Sequence, residues 1–239
     1  MLGALALLLL LPSAASLQLP TMWASSMVVE ADAPNALWGT DAPGALVSVS
    51  AFGATFNATA DASGAFSLTL PAQPVSLSPQ TIEVRSSAPG SAAVTLTDVL
   101  VGHTFVCSGQ SNAEIAVGQT FQWRAETASA DALGATLRLF QVAMLPEYCS
   151  TAAPQTNLTA NLPWARASSL VVPGMSAMCY YFGAELVAKH PGVPIGLLAS
   201  SWGGTAIQRA SRARQQQQQR PLPSAPPSPC PLSLLSAAH

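Results

Sequence analysis

Two apolar runs of the same kind set the strongest limit on what this chain can fold into. Residues 99–107 (VLVGHTFVC) and 193–199 (VPIGLLA) carry no polar–apolar alternation. A short continuous apolar run bounded by turn residues is the mark of a strand buried on both faces, as in a parallel sheet. Each run breaks into a loop of small residues. Ser108-Gly109-Gln110-Ser111-Asn112 follows the first, and Ser200-Ser201-Trp202-Gly203-Gly204-Thr205 follows the second. LRLFQVAML, at 137–145, is a third buried-strand candidate. Between them, MSAMCYYFGAELVAKH has helical spacing, with Met178, Tyr181, Phe182 and Leu186 placed along one face. His190-Pro191-Gly192 ends that helix. Strand, helix and strand in this order predict a βαβ unit with a parallel sheet.

The front of the chain has a different grammar. Val47, Val49 and Ala51 alternate with Ser48 and Ser50, the period-2 pattern of a half-buried strand. Asp61-Ala62-Ser63-Gly64 reads as a turn that joins ATFNATA and AFSLTL into a hairpin. TIEVRSS and AAVTLTDVLV continue the pattern. Short strands and frequent turns predict a small antiparallel β-sandwich over residues 21–97. The α/β part then runs from 98 to 208. Residues 209–239 are rich in Gln, Pro and Ser, and their composition predicts a disordered tail.

The first residues, MLGALALLLLLPSAAS, are an apolar run ending in small residues. Residues 1–16 therefore read as a signal peptide, since a membrane span needs about 20 apolar residues. Asn57-Ala58-Thr59 and Asn157-Leu158-Thr159 are acceptor tripeptides for N-glycosylation and fit a secretory route. The expected location is extracellular or lysosomal, with no membrane span. A formal net charge of −2, with 8% charged residues, leaves no basic footprint for nucleic acid. Four cysteines allow three pairings, and a free buried Cys107 is as good a reading as a bridged one.

Ser111 is the candidate nucleophile. A serine hydroxyl attacks a carbonyl only when it is positioned and a base takes its proton. The loop beyond the C-terminal end of a parallel strand is where open α/β sheets place their sites. Gly109 lets the chain turn tightly there, and nearby backbone N–H groups can hold a developing oxyanion. Gly203 and Gly204 offer the same from the second loop. On spacing alone, a polar β-turn accounts for SGQSN equally well, and a plain strand-to-helix turn accounts for the GG pair. Glu114 and Asp131 read as ordinary surface charges. No cofactor and no metal-ligand cluster is expected.

Taken together, these motifs resemble the sialate O-acetylesterase family. Asp98–Gly102 (DVLVG), Cys107–Asn112 (CSGQSN), Met175–Leu186 (MSAMCYYFGAEL) and Pro194–Ile207 (PIGLLASSWGGTAI) are similar to its motifs and occur in its order. SSMVVEADAPNALWGTDAPGALVSV and ADASGAFSLTLP resemble its N-terminal β region. The likeness covers residues 22 to 208. It implies an α/β fold, an SGNH-hydrolase-like three-layer parallel sheet, incomplete here, preceded by the β-sandwich. It implies removal of O-acetyl groups from sialic acids or other acetylated sugars, without a cofactor. Ser111 matches the family nucleophile. Its own N–H and that of Gly204 match oxyanion donors, with Gly203 the alternative. Gln110, Asn112 and Trp202 fall where substrate is bound.

The sequence also departs from the family. No position matches its third oxyanion donor, an Asn. Its base comes from a downstream Asp-x-x-His motif, and this chain is expected to stop short of one. His103 stands where relatives carry an acidic residue, His190 lies in the His-Pro-Gly turn, and His239 has Ser236 three residues before it. Ala113 replaces a Met and Phe105 a Trp, both as packing changes. The competing readings are a secreted carbohydrate-binding protein without catalysis and a non-functional fragment.

Overall fold

A computed structural model describes residues 16–145 and 157–204. The apolar leader up to residue 15, Cys149, and residues 205–239 with the expected tail, Cys230 and His239, lie outside the described residues. The described chain forms β1 (Val28–Glu30), β2 (Asn35–Thr40), β3 (Leu46–Ala51), β4 (Ala54–Thr59), β5 (Ala65–Leu70), β6 (Ser76–Ser86) and β7 (Val94–Gly109). It continues through the single turn α1 (Ser111–Glu114), α2 (Trp123–Leu133), β8 (Leu137–Val142), β9 (Ala160–Arg166), α3 (Ala177–Lys189) and β10 (Ile195–Ser201).

The long strand β7 organises the sheet, whose order is β4-β3-β6-β7-β10-β8-β9 with β1 also paired to β7. The first half of β7 pairs antiparallel with β6 and parallel with β1. Its second half pairs parallel with β10, from His103 opposite Ile195 to Gly109 opposite Ser201. β10 is parallel to β8, and β9 closes the edge antiparallel. The centre is therefore a parallel triple, β7-β10-β8, in a mixed sheet flanked by helices. The three apolar runs read as buried strands are these three strands.

Three expectations change. The antiparallel strands β3, β4 and β6 do not form a sheet apart from the parallel ones, because β7 carries both sets in one hydrogen-bonded path. β7 runs through Asp98 without a break, so the expected change at 98 falls within a strand rather than between two. Asp98 sits inside β7 at φ 58°, a left-handed conformation unusual for a non-glycine residue. The ATFNATA–AFSLTL hairpin is not formed, since β4 pairs with β3 and β5 with β2. The Asp61–Gly64 turn exists, closed by the Gly64 N–H on the Asp61 carbonyl at 2.9 Å. It acts as a corner that passes the chain from the large sheet to the two-stranded one.

The helix α3 is where it was expected, and its expected face holds in part: Tyr181 and Leu186 pack against the core. Met178 and Phe182 are 48% and 44% exposed, whereas Ala177, Cys179, Tyr180 and Gly183 are buried. Gly183 sets this face: a Cβ there would lie 2.4 Å from a Leu197 methyl, so the helix approaches β10 only because position 183 is bare.

Alternation along the parallel strands feeds two cores. Leu137, Leu139, Ile195, Leu197 and Ala199 meet Met175, Ala177 and Tyr180 on the helical side. Phe140 and Leu198, with Trp164 of β9, point the other way, toward Trp23, Met27 and Val29. Leu37, Phe66 and Leu70 of the β2–β5 pair share that second core with Val47, Val49 and Ala51 of β3, all three of which are buried.

Candidate active site

The site is built where β7 and β10 end side by side. After Gly109 the backbone turns at Gln110 (φ −113°, ψ −147°) into α1, whose first residue is Ser111. Gln110, Ser111 and Asn112 are exposed, while Ala113 is buried beneath them. As first residues of a helical turn, Ser111 and Asn112 have N–H groups with no acceptor inside the helix.

The loop is held from several sides. The buried Ser176 hydroxyl donates to the Ala113 carbonyl at 2.6 Å and accepts the Cys179 N–H, capping α3. The Ser201 hydroxyl donates to the same carbonyl at 3.1 Å. The Ala177 N–H reaches the Ile115 carbonyl, and the Val117 N–H the Met175 carbonyl, at 2.8 and 2.9 Å. A disulfide joins Cys107, two residues before Gly109, to Cys179 on α3. The even choice between a free and a bridged Cys107 is thus resolved as a bridge. The pairing was not legible because nothing local in the sequence signals that α3 packs close enough to β7 for a bridge.

The second loop lies directly against the first. The Trp202 N–H donates to the Gly109 carbonyl at 3.0 Å. A Cβ on Gly203 would sit 3.6 Å from both Cα and Cβ of Ser111. The Gly203 N–H itself donates to Glu114 Oε2. Gly204 follows at φ 73°, a conformation that favours glycine. The structure thus brings Gln110, Ser111, Asn112, Trp202, Gly203 and Gly204 to neighbouring strand ends. Sequence reading missed three members: Glu114, Ser176 and Ser201. Glu114 carried one usable signal, since position i+3 in a helical turn shares a face with Ser111. Asp131 is exposed, as expected of a surface charge, and accepts the Ser169 N–H at 2.9 Å and the Ser169 hydroxyl.

The histidines are elsewhere. His103 lies six residues before Gly109 on β7, about 20 Å of strand away. Its Nδ1 is 2.9 Å from Glu30 Oε1, and the other Glu30 oxygen accepts the Thr104 N–H and hydroxyl. Burial pushes the Glu30 carboxyl up, but these bonds outweigh it and hold it below the ordinary carboxylate value. His190 caps the far end of α3, about 20 Å of helix from Ser176. Among the described residues, no histidine stands beside Ser111. Trp164 is a core residue, 8% exposed with its Nε1–H on the Met22 carbonyl at 2.9 Å. Among the described residues, no helix is long and apolar enough to cross a membrane.

Known proteins carry the same pattern. The chain is 36% identical over 125 residues to a sialate O-acetylesterase of Pongo abelii, and 34% identical over 122 residues to that of Homo sapiens. Each match covers 49% of this chain and 22% of the relative. A carbohydrate acetylesterase from Xanthomonas citri shares the fold with a TM-score of 0.72 at 32% identity, over 84% of this chain and 45% of that one. No protein-family model matches. Sequence and fold agree with the motifs: this chain is similar to sialate O-acetylesterases and to a carbohydrate acetylesterase, and it spans less than half the length of these relatives.

Proposed function

We propose that the chain carries the nucleophile-bearing part of a secreted or lysosomal serine-type carbohydrate O-acetylesterase with an SGNH-like layered sheet. The single observation behind this reading is the packing of Ser111 against Gly203 at the ends of adjacent parallel strands. In the reaction, Ser111 Oγ bonds to the acetyl carbonyl carbon while a base takes its proton. The Ser111 and Gly204 N–H groups hold the oxyanion, because the Gly203 N–H is committed to Glu114. Collapse breaks the ester bond, and the sugar oxygen leaves with the proton. Water then attacks the acetyl-serine, releasing acetate and restoring Ser111. Gln110, Asn112 and Trp202 line the approach to Ser111 and would contact the acetylated sugar, a sialic acid in the leading case.

The competing reading is a module that binds acetylated sugar without turnover. Acetylation by an activated ester separates the two. After incubation with 4-nitrophenyl acetate, peptide mapping should find an acetyl group on Ser111, absent from Ser111→Ala. Acetyl confined to lysines would support the binding module.

A further inference from the structure

The Gly203 N–H donates to Glu114 Oε2, so a carboxylate from the first loop grips the backbone of the second. We infer that Glu114 is a positioning residue for the oxyanion-binding turn: it holds the Trp202–Gly203 peptide, and through it sets the start of the next peptide, so that the Gly204 N–H faces a carbonyl attached to Ser111. The inference rests on the acyl-transfer reading above and adds a residue to it.

Four features converge. Glu114 sits one helical turn after Ser111, so the same short α1 carries the attacking oxygen and the carboxylate. The position of α1 is fixed through the Ala113 carbonyl, which accepts both the Ser176 and the Ser201 hydroxyls. No Lys, Arg or His among the described residues pairs with Glu114, so its carboxylate is directed to the Gly203 amide. Position 203 must also be bare: a Cβ there would lie 2.7 Å from Glu114 Oε2. A hydrogen bond to a charged acceptor is the stronger kind, suited to holding one peptide plane. Holding that plane matters because the next peptide, which carries the Gly204 N–H, starts from it; oxyanion donors work at hydrogen-bond distance from one point in space, and displacement of about 1 Å costs on the order of 100-fold in rate.

The test uses the full chain with Glu114→Ala, Glu114→Gln and Ser111→Ala. The two readouts are acetate release from an O-acetylated sialic acid, with imidazole supplied as base, and backbone amide exchange at Gly203 by NMR. Glu114→Ala should lower kcat about 10- to 100-fold with KM within twofold. It should also lose exchange protection at Gly203 while keeping the wild-type Tm to within a few degrees. Glu114→Gln keeps a side-chain oxygen as acceptor and should restore both readouts to within about threefold. Unchanged kcat in Glu114→Ala, or unchanged Gly203 protection, overturns the inference. If Ser111→Ala turns over as fast as the wild type, the esterase reading fails, and Gly203 exchange still decides the Glu114 contact by itself.

Discussion

Asp98 shows how much one residue holds together. Its carboxylate accepts Arg166 Nη2–H at 2.7 Å, Arg166 Nε–H at 2.9 Å, the Ser26 hydroxyl at 3.0 Å and Arg138 Nη2–H at 3.2 Å. These bonds tie β7 to β8, β9 and the segment before β1. Burial pushes the Asp98 carboxyl up, but the bonds from Arg166 and Ser26 and the two guanidinium charges outweigh it and hold it low. The Arg138 side chain is 1% exposed, so removing its partner strands a buried charge. Asp98→Asn should therefore cost about 3–5 kcal/mol at neutral pH, read from urea unfolding. The folded carboxyl titrates below the unfolded one. Its contribution is complete above the ordinary value of about 3.9 and is lost as the pH falls through the lower folded value. The gap between wild type and Asp98→Asn should therefore close on acidification below pH ~4. A gap that widens there would contradict the assignment. From sequence, Asp98 looked like a boundary, because its neighbours change from alternating to continuous apolar residues. What it does depends on Arg138 and Arg166, forty and more positions away, which no local pattern announces.

At the level of elements, strand identity was more legible than strand partnership. Val47, Val49 and Ala51 showed their inward face, and the runs at 137–145 and 193–199 showed the two-sided burial of β8 and β10, whereas the run at 99–107 leaves Val106 72% exposed on β7. Which strand lies beside which was not legible, as the split of β4 and β5 between two sheets shows. β9 went unseen because Pro163 interrupts its pattern, and it pairs with β8 in an irregular register. The face of α3 was legible in Tyr181 and Leu186, but size and hydrophobicity also favoured Met178 and Phe182, whereas packing selected Gly183 and Cys179. Gly183→Ala should destabilise the protein by about 1–3 kcal/mol, seen as a lower Tm, because the added methyl collides with the buried Leu197. The Cys107–Cys179 bridge spans a sequence separation of 72 residues. Replacing both cysteines by alanine should cost about 2–4 kcal/mol in unfolding free energy. It should also raise amide exchange in the Ser111 loop more than in β3, which lies on the far side of β6.

For the whole molecule, β7 runs through both halves of the sheet. The antiparallel strands and the parallel triple share its backbone, and one apolar core runs from Val47 and Leu37 to Phe140 and Leu198. Intrinsic fluorescence and far-UV circular dichroism should therefore report coincident urea transitions. Two separated transitions would show independent units, as the boundary expected at residue 98 implies. The loops that meet at Ser111 come from strands about ninety residues apart, so the candidate site was legible as two motifs but not as one surface. Its chemistry turns on whether Ser111 attacks. The most direct measurement is acetate release from an O-acetylated sialic acid by the purified chain and by Ser111→Ala, with imidazole supplied as base. If Ser111 attacks, the wild type should release acetate at least tenfold faster than Ser111→Ala. Equal rates from two equally folded proteins would contradict this and remove Ser111 as the nucleophile.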